Sequence, residues 1–190
     1  MHSSLDDEKL AQLARGGDIG AFDALMLRWE RKIFALCYGI MGNADDAQDA
    51  VQESFQSAFK TIQTFRGDSK FSSWIHRIAV NACITQKRKQ KRLAETGFEN
   101  LDGVSWEPIA SGTDSNPLHA IQGKELALAV RSAVATLPEE IRLAVLLKEF
   151  QNLTFQEISE TLQLPLSTVK SRVYTGFKLL REKLGGRKLL

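Results

Sequence analysis

Residues Leu153–Lys183 read LTFQEISETLQLPLSTVKSRVYTGFKLLREK, and this segment dictates the architecture of the C-terminal part of the chain. Thr154, with Glu157 three residues later, forms a capping box that predicts the start of a helix. Pro165 interrupts the helical pattern, because proline lacks a backbone donor. Ser167, a residue type that favours N-caps, predicts the start of a second helix. Two short helices joined by a tight turn are typical of a helix-turn-helix, whose second helix fits the major groove of DNA.

The second predicted helix has an apolar face and a polar, basic face. Val169, Val173, Phe177 and Leu180 recur at helical spacing and are expected inside. An ordinary helical hairpin with a solvated polar face has the same pattern, so this segment alone leaves DNA binding open. The candidate DNA contacts are Ser167, Thr168, Lys170, Ser171, Arg172, Tyr174, Thr175 and Lys178.

The composition excludes several classes of protein. The net charge is only +2 in 190 residues, so any nucleic-acid site must come from local clustering of charge. Cys37 and Cys83 lie in apolar helical patterns without the spacing of a metal site, and are expected to be reduced core residues. No apolar run approaches membrane-spanning length and the N-terminus is polar, so we expect a cytoplasmic protein with no membrane insertion.

The N-terminal part is predicted to be helical, with an acidic face on its third helix. Helices are expected at about 5–16, 19–40 and 44–64. The polar side of the third helix carries Asp46, Asp49, Gln52 and Glu53. The helix dipole explains acidic residues in the first turn, but not Asp49 and Glu53 further along. This face is either a solvated surface or a docking surface for a basic partner.

A polar and aromatic loop, Phe65–Trp74, follows and leads into a basic helix that Ser72 or Ser73 can cap. Five of the seven residues in 86–92 are basic, and such a run repels itself unless solvent or a polyanion relieves it. Single-stranded nucleic acid is favoured over a bare solvated helix end, because rings stack on bases while cations hold phosphates. The candidate contacts are Phe65, Arg66, Lys70, Phe71, Trp74, Arg77, Asn81, Lys87 and Arg88.

The rest of the chain completes an all-α prediction of two small helical domains, 1–92 and 123–190. Between them, residues 93–122 are rich in Gly, Pro, Ser and Asp and predict a flexible linker. Thr136–Glu139 predicts another capped helix before the helix-turn-helix. The three histidines have no suitable partners and no glycine-rich phosphate loop occurs, so we expect a binding factor rather than an enzyme, with no cofactor and no metal.

In these features the chain resembles bacterial RNA polymerase sigma factors of the extracytoplasmic-function (ECF) group, which keep only sigma regions two and four. The segment Asp46–Phe55, DAQDAVQESF, resembles the region-two signature D-A-x-D-x-x-Q-E-x-F. Three motifs in the right order across a linker make the resemblance specific. The other matches are Phe65–Gly67, Phe71–Ile75 and Ala79–Ala82 with the promoter-melting segment, and Leu137-Pro138, Ser167–Arg172 and Leu180-Arg181 with region four.

The resemblance implies a protein that directs core RNA polymerase to specific promoters and helps to open the −10 element. The acidic face would bind the polymerase clamp. The loop Phe65–Trp74 and the basic helix that follows it would bind the non-template strand of the −10 element. The helix-turn-helix would read the −35 element, with Arg172 or Lys170 as the main contact. The resemblance further implies control by an anti-sigma factor, with a role in a stress or envelope response. We expect the free protein to be a monomer.

One segment departs from the family pattern, one pair of residues has an alternative role, and two other functions compete. Thr175-Gly176-Phe177 stands where family members often carry arginines, so the −35 grip is expected to be weaker or to read another sequence. Gly176 also costs about 1 kcal/mol relative to alanine within a helix. Phe71 and Trp74 have an alternative role, in which they support the loop from the core.

Two other functions compete with this assignment. A stand-alone regulator would use only the helix-turn-helix and has no need of the acidic face. An RNA-binding protein would use only the basic run.

Overall fold

The computed structural model describes the backbone of residues 4–95 and 117–185, and the side chains of 4–95 and 126–185. Every regular element in this part of the chain is helical, which confirms the predicted all-α fold. The elements are α1 (Asp7–Arg15), α2 (Ile19–Met41), α3 (Ala44–Thr61), α4 (Phe71–Glu95), α5 (Pro117–Ala135), α6 (Glu139–Val145), α7 (Phe155–Leu162) and α8 (Leu166–Gly185). A 3₁₀ turn, Ile62–Thr64, extends α3, and a π-helical turn, Leu146–Phe150, extends α6.

Helices α1–α4 form the N-terminal domain, and short polar residues start the first three of them. The side chains of Asp6, Asp18 and Asn43 each accept a hydrogen bond from a backbone N–H in the first turn that follows. Gly42 ends α2 in the left-handed conformation with φ of 89°, which a glycine adopts without strain. The sharp corner at Gly42 and Asn43 brings α3 back against α2, so that both pack on α4.

The two cysteines lie in the centre of this domain. Cys37 of α2 and Cys83 of α4 are fully buried free thiols, as predicted. A hydrogen bond with Cys83, together with burial, raises the pKa of the Cys37 thiol above its usual range. Because the thiolate is the reactive form, Cys37 is an inert packing element, and Cys83 is shielded by complete burial.

Helices α5–α8 form the C-terminal domain, in which α7 and α8 make the predicted helix-turn-helix. The capping box is confirmed: Glu157 N–H donates to the Thr154 hydroxyl, and Thr154 N–H donates to the Glu157 carboxylate at 2.8 Å. Gln163 adopts the left-handed conformation with φ of 53° and serves the turn in place of the missing glycine.

Three predicted helix caps are wrong, each for the same reason. Helix α4 starts at Phe71, before Ser72 and Ser73, and α8 starts at Leu166, before Ser167. At α6, Pro138 is the N-cap and makes no side-chain capping bond. In each case the residue just before the helix is Lys70, Pro138 or Pro165, whose side chain has no hydrogen-bond acceptor. Only its backbone carbonyl takes part in the start of the helix, as Pro165 does by accepting from Val169 N–H at 3.1 Å.

The predicted linker, 93–122, lies mostly outside the described residues. Its first part continues α4 to Glu95, and its last part belongs to α5, which begins at Pro117. The division into domains 1–92 and 123–190 therefore stays a prediction about the chain rather than a described boundary.

The two domains pack against each other around one continuous hydrophobic core. Helix α4 contacts α7, and α2 contacts both α6 and the π-helical turn. The backbone of α2 meets the π-helical turn at Gly39, where an added Cβ would lie 2.8 Å from a Leu146 methyl carbon. A larger residue at 39 would have to displace the Leu146 side chain.

Candidate nucleic-acid and polymerase interfaces

The acidic face of α3 is open to solvent except at its first residue. Asp49, Gln52 and Glu53 are exposed. Asp46 is half-buried, and its carboxylate accepts hydrogen bonds from the side-chain amides of Gln86 (3.2 Å) and Gln90 (2.8 Å) of α4. Asp46 thus joins α3 to α4, while the next two carboxylates face outward with no salt bridge to another described residue.

Beneath the loop 65–70, the three predicted aromatic contacts form a cluster of rings. Phe65, Phe71 and Trp74 are all buried, and their ring centroids lie 5.5–5.9 Å apart. Trp29 of α2 adds an edge contact to Phe71 at 6.0 Å. None of these rings presents a face to solvent. This packing agrees with the alternative role of Phe71 and Trp74, in which they support the loop from the core, and Phe65 shares that role.

The cluster supports a cleft whose rim is polar. Gly67 takes a φ of 80° and turns the loop outward, so that Arg66 and Lys70 are exposed above the rings. The cleft encloses about 460 Å³ between the loop and α4. Ser73 borders it with a buried hydroxyl that has no hydrogen-bond partner among the described residues. An unsatisfied hydroxyl beside a cleft is a group available to a polar ligand.

The predicted strand-binding face of α4 continues from that cleft. Asn81 and Arg88 are exposed, while Arg77 and Lys87 are half-buried. All four line a groove of about 470 Å³, whose opposite wall is formed by α6, α7 and α8 of the other domain. The structure therefore brings the predicted contacts onto one side of α4, facing the C-terminal domain.

Most of the predicted contacts on α8 point away from the protein. Val169 and Val173 are buried as predicted, which turns Lys170, Ser171 and Thr175 outward. Ser167, Tyr174 and Lys178 are also exposed, and Thr168 is half-buried. Arg172 differs from these residues because it is half-buried and forms an ion pair with Glu140 of α6.

Gly176 has a packing role that its helix propensity alone does not suggest. It is buried where α8 crosses α6, and an added Cβ would lie 2.4 Å from a methyl carbon of Val145 and 3.0 Å from one of Ile141. Such a contact forces the two helices apart. The expected cost of glycine in the helix is thus offset by a helix crossing that only glycine permits.

Two protein-family models match this chain. Residues 25–93 match the family model of Sigma-70 region 2, and residues 127–180 match that of Sigma-70, region 4. The chain is 32% identical over 188 residues to the ECF RNA polymerase sigma-E factor of Salmonella typhimurium, covering 97% of each chain. It is 31% identical over 171 residues to the RNA polymerase sigma-H factor of Pseudomonas aeruginosa, covering 88% of each. This chain belongs to the ECF group of sigma-70 factors.

Two solved structures share the fold of this ECF sigma factor. The structure of CnrH in complex with the cytosolic domain of CnrY superposes with a TM-score of 0.70 at 21% identity, covering 96% of this chain and 99% of that one. The structure of RpoE with the anti-sigma factor NepR from Bartonella quintana gives a TM-score of 0.71 at 20% identity, covering 86% and 96%. At these identities the likeness establishes the fold alone.

Two ion pairs connect region 2 of the sigma factor to region 4. The ammonium of Lys70, in the loop, lies 2.8 Å from the Glu157 carboxylate of α7. Burial alone would raise the pKa of Glu157, but the Lys70 ammonium and the two Thr154 hydrogen bonds lower it to about 2. The ammonium of Lys87, in α4, lies 3.1 Å from the Glu139 carboxylate of α6.

A buried histidine adds a third polar contact between the regions. His76 of α4 is 1% exposed, and its Nδ1–H donates to the Ser72 carbonyl at 2.7 Å. Its Nε2 lies 3.2 Å from the side-chain oxygen of Gln151, beyond the π-helical turn. Burial lowers the pKa of His76, although the contacts with Gln151 and Ser72 oppose that shift.

No sequence pattern predicts that Glu139, Glu157 or Gln151 contacts region 2. Glu139 and Glu157 look like helix-start residues, and each does lie in a first turn. Their second role depends on how the two domains pack, which no local pattern reveals. His76 could have been noticed, because a histidine on the inward side of α4 needs a polar partner when it is buried.

The described residues were also compared with the requirements for a membrane span and for a metal site. Among the described helices, none has the length and apolar character needed to cross a membrane. Within the same part of the chain, no group of three or more His, Cys, Asp and Glu side chains is arranged to hold a metal ion.

Proposed function

We propose that this ECF sigma factor binds core RNA polymerase through the acidic face of α3. The observation that carries the proposal is that Asp49 and Glu53 are exposed on one face, deep enough in the helix that the helix dipole does not account for them. Gln52, exposed beside them, adds a neutral hydrogen-bonding group. A basic surface on the polymerase would meet two carboxylates that form no salt bridge to the described residues.

The same sigma factor directs polymerase to specific promoters and helps to open the −10 element. We assign the strand contacts to Arg66, Lys70, Arg77, Asn81, Lys87 and Arg88. In this assignment the cations hold phosphates, and the cleft beside Ser73 receives a base that leaves the stack. Phe65, Phe71 and Trp74 then act from beneath by fixing the loop, which is the role that their burial supports.

The outer face of α8 would lie in the major groove of the −35 element. Lys170 and Arg172 are the candidate base or phosphate contacts, and the hydroxyls of Ser167, Thr168, Ser171 and Thr175 are secondary ones. Tyr174 and Lys178 extend the exposed face toward the DNA backbone. The packing role of Gly176 gives a structural reason for one departure from the family's arginines.

The likeness to two structures solved as complexes supports a further part of the proposal. One of those complexes contains the anti-sigma factor NepR, and the other contains the cytosolic domain of CnrY. We propose that an anti-sigma factor also controls this chain, in a stress or envelope response. The protein would then act in the cytoplasm beside the polymerase, as a monomer when free and without catalytic activity of its own.

Run-off transcription on a library of promoter fragments tests the proposed function. Purified core polymerase is assayed with and without this protein. We expect protein-dependent transcripts whose aligned start sites share −10 and −35 sequences. Sequence-specific binding of duplex DNA by the protein alone, with no dependent transcript, would contradict the proposal and favour a stand-alone regulator.

A further inference from the structure

We infer that region 4 is an internal inhibitor of region 2: in the free chain it folds back and occupies the cations that would otherwise hold the −10 strand. This inference rests on the proposed function, because it concerns the regulation of the same strand-binding surface. It requires no other protein, so it is separate from control by an anti-sigma factor.

The charges across the domain boundary are the first support. Lys70 and Lys87 are both assigned to phosphates of the −10 strand, and in this structure each is bound by a region 4 carboxylate, Glu157 or Glu139. A carboxylate is a good substitute for a phosphate as a partner for an ammonium group. A strand can therefore reach these two lysines only by displacing region 4.

The position of the helices gives the second support. Glu160 of α7 lines the cleft beside Ser73, so a region 4 carboxylate stands at the mouth of the proposed base pocket. Along α4, the groove that contains Arg77 and Asn81 is closed on its far side by Leu162 and Leu164. A strand that follows this side of α4 would have to occupy the space that these region 4 side chains line.

Apolar packing holds this arrangement in place. Leu146 packs on the bare backbone of Gly39, and Gln151 meets the buried ring of His76. Each ion pair joins an exposed side chain to one that is mostly covered: 67% of Lys70 is accessible against 15% of Glu157, and 56% of Glu139 against 25% of Lys87. An ion pair with one covered partner is screened less by solvent than a fully exposed one. The close contact at Gly39 and the two ion pairs therefore resist opening together.

Closure then lowers the affinity of the free chain for a strand in proportion to the open fraction. If one molecule in about ten is open, the apparent affinity is about tenfold weaker than that of an open chain. Polymerase binds a different face, on α3, so docking can precede the release of region 4.

The test compares two variants that open the chain by different routes. Gly39→Gln places a long side chain where Leu146 now lies, and glutamine is a better helix former than glycine. Its matched control is Gly20→Gln, an exposed position of the same helix. Glu139→Gln/Glu157→Gln removes both region 4 carboxylates while keeping a capping-box side chain at 157. Its control, Glu149→Gln/Glu182→Gln, removes the same charge from exposed positions of region 4.

Each variant is measured without polymerase, by small-angle X-ray scattering and by the anisotropy of a fluorescent single strand. The strand carries the non-template sequence of a promoter that the wild-type holoenzyme transcribes. We expect both test variants to have a larger radius of gyration and to bind the strand about tenfold more tightly. Both controls should match the wild type, and circular dichroism should show the same helix content in all five proteins.

Two results would overturn the inference: an unchanged radius in both test variants, or an increased radius with unchanged strand affinity. Run-off transcription by the wild-type protein reports separately on the proposed function. Normal transcription with either of those two results leaves the sigma factor assignment intact and removes only the internal inhibition.

Discussion

Region 2 carries two charged faces that differ in how much of their charge is already used. On α3, Asp49 and Glu53 project into solvent and form no salt bridge to the described residues. In the loop before α4 and on α4 itself, Lys70 and Lys87 are bound by carboxylates of region 4. In this structure the acidic face is accessible to a basic partner, whereas two cations of the basic face are already paired. If the α3 face binds polymerase as proposed, the free protein can dock on it without moving region 4.

Charge reversal on the acidic face should have the largest effect. Asp49→Lys/Glu53→Lys is expected to weaken binding to core polymerase by at least about 100-fold, because like charges placed opposite each other in an interface cost several kcal/mol. Fluorescence anisotropy of labelled sigma factor against core measures this. The control Asp23→Lys/Glu30→Lys makes the same change at exposed positions of α2 and should bind normally. Unimpaired binding by the α3 variant would remove the polymerase role of that face.

A substitution at Gly176 tests whether the basic face of α8 depends on its packing against α6. Gly176→Ala is expected to reduce the free energy of unfolding by about 1–3 kcal/mol, because its Cβ would collide with Val145. Urea denaturation followed by circular dichroism measures the change. Gly185→Ala is a suitable control, since an added Cβ there meets no atom within 4 Å. A more stable Gly176→Ala protein would show that helix propensity outweighs the close contact.

Two neighbouring cations on α4 differ in whether a carboxylate of region 4 binds them. Arg88 is exposed and lines the groove, whereas Lys87 is bound to Glu139. Arg88→Ala should weaken binding of a single strand by about three- to tenfold and reduce the salt slope by about 0.7, as expected for one lost phosphate contact. Lys87→Ala should lose less, because the lysine must first leave Glu139. Titrations at several salt concentrations measure both variants, and equal losses would argue that the ion pair is irrelevant to strand binding.

Mild acid should loosen the contact between the two regions, with the smallest expected effect. The pKa of buried His76 lies below its usual 6.5, so the packed arrangement favours the neutral ring and is stabilised above that pH. As the pH falls below 6.5, the open chain takes up the proton more readily and closure weakens. The charged groups acting on the ring are Lys32 of α2 and Glu157 of α7, and Glu157 stays ionised in this window because its pKa is about 2.

Strand affinity, measured from about pH 7.5 to about pH 5.5, should rise about two- to fivefold by this linkage. His76→Leu removes the titrating ring and serves as the reference. If the wild type and His76→Leu respond equally to pH, the histidine does not control opening.

Local patterns in the sequence were sufficient for the helices and for the outward faces. The capping box at Thr154 and the apolar spacing of Val169 and Val173 are found where they were predicted, because these interactions lie within one or two turns. Residues that act between helices distant in the sequence were not predicted. Gly39 and Gly176 appear in the sequence only as weak helix formers, yet each permits a close approach to a side chain far away in the chain.

The aromatic residues show a second limit of sequence reasoning. A ring in a polar loop can stack on a base or support the loop, and both roles need the same residue type. The three rings pack on one another and are buried, which favours support and leaves the exposed cations and amides as the proposed strand-binding groups. Spacing along the chain could not separate these roles, because the direction of each ring depends on the fold of the whole domain.

The hydrogen bonds of Asp46 to Gln86 and Gln90 have a geometric consequence for where transcription starts. They tie α3 to α4, so the proposed polymerase-binding surface and the proposed strand-binding surface are joined within one domain. Once α3 is docked, the direction of α4 relative to the polymerase is set. The distance from the −10 element to the first transcribed base should therefore stay constant in every variant that only shifts region 4.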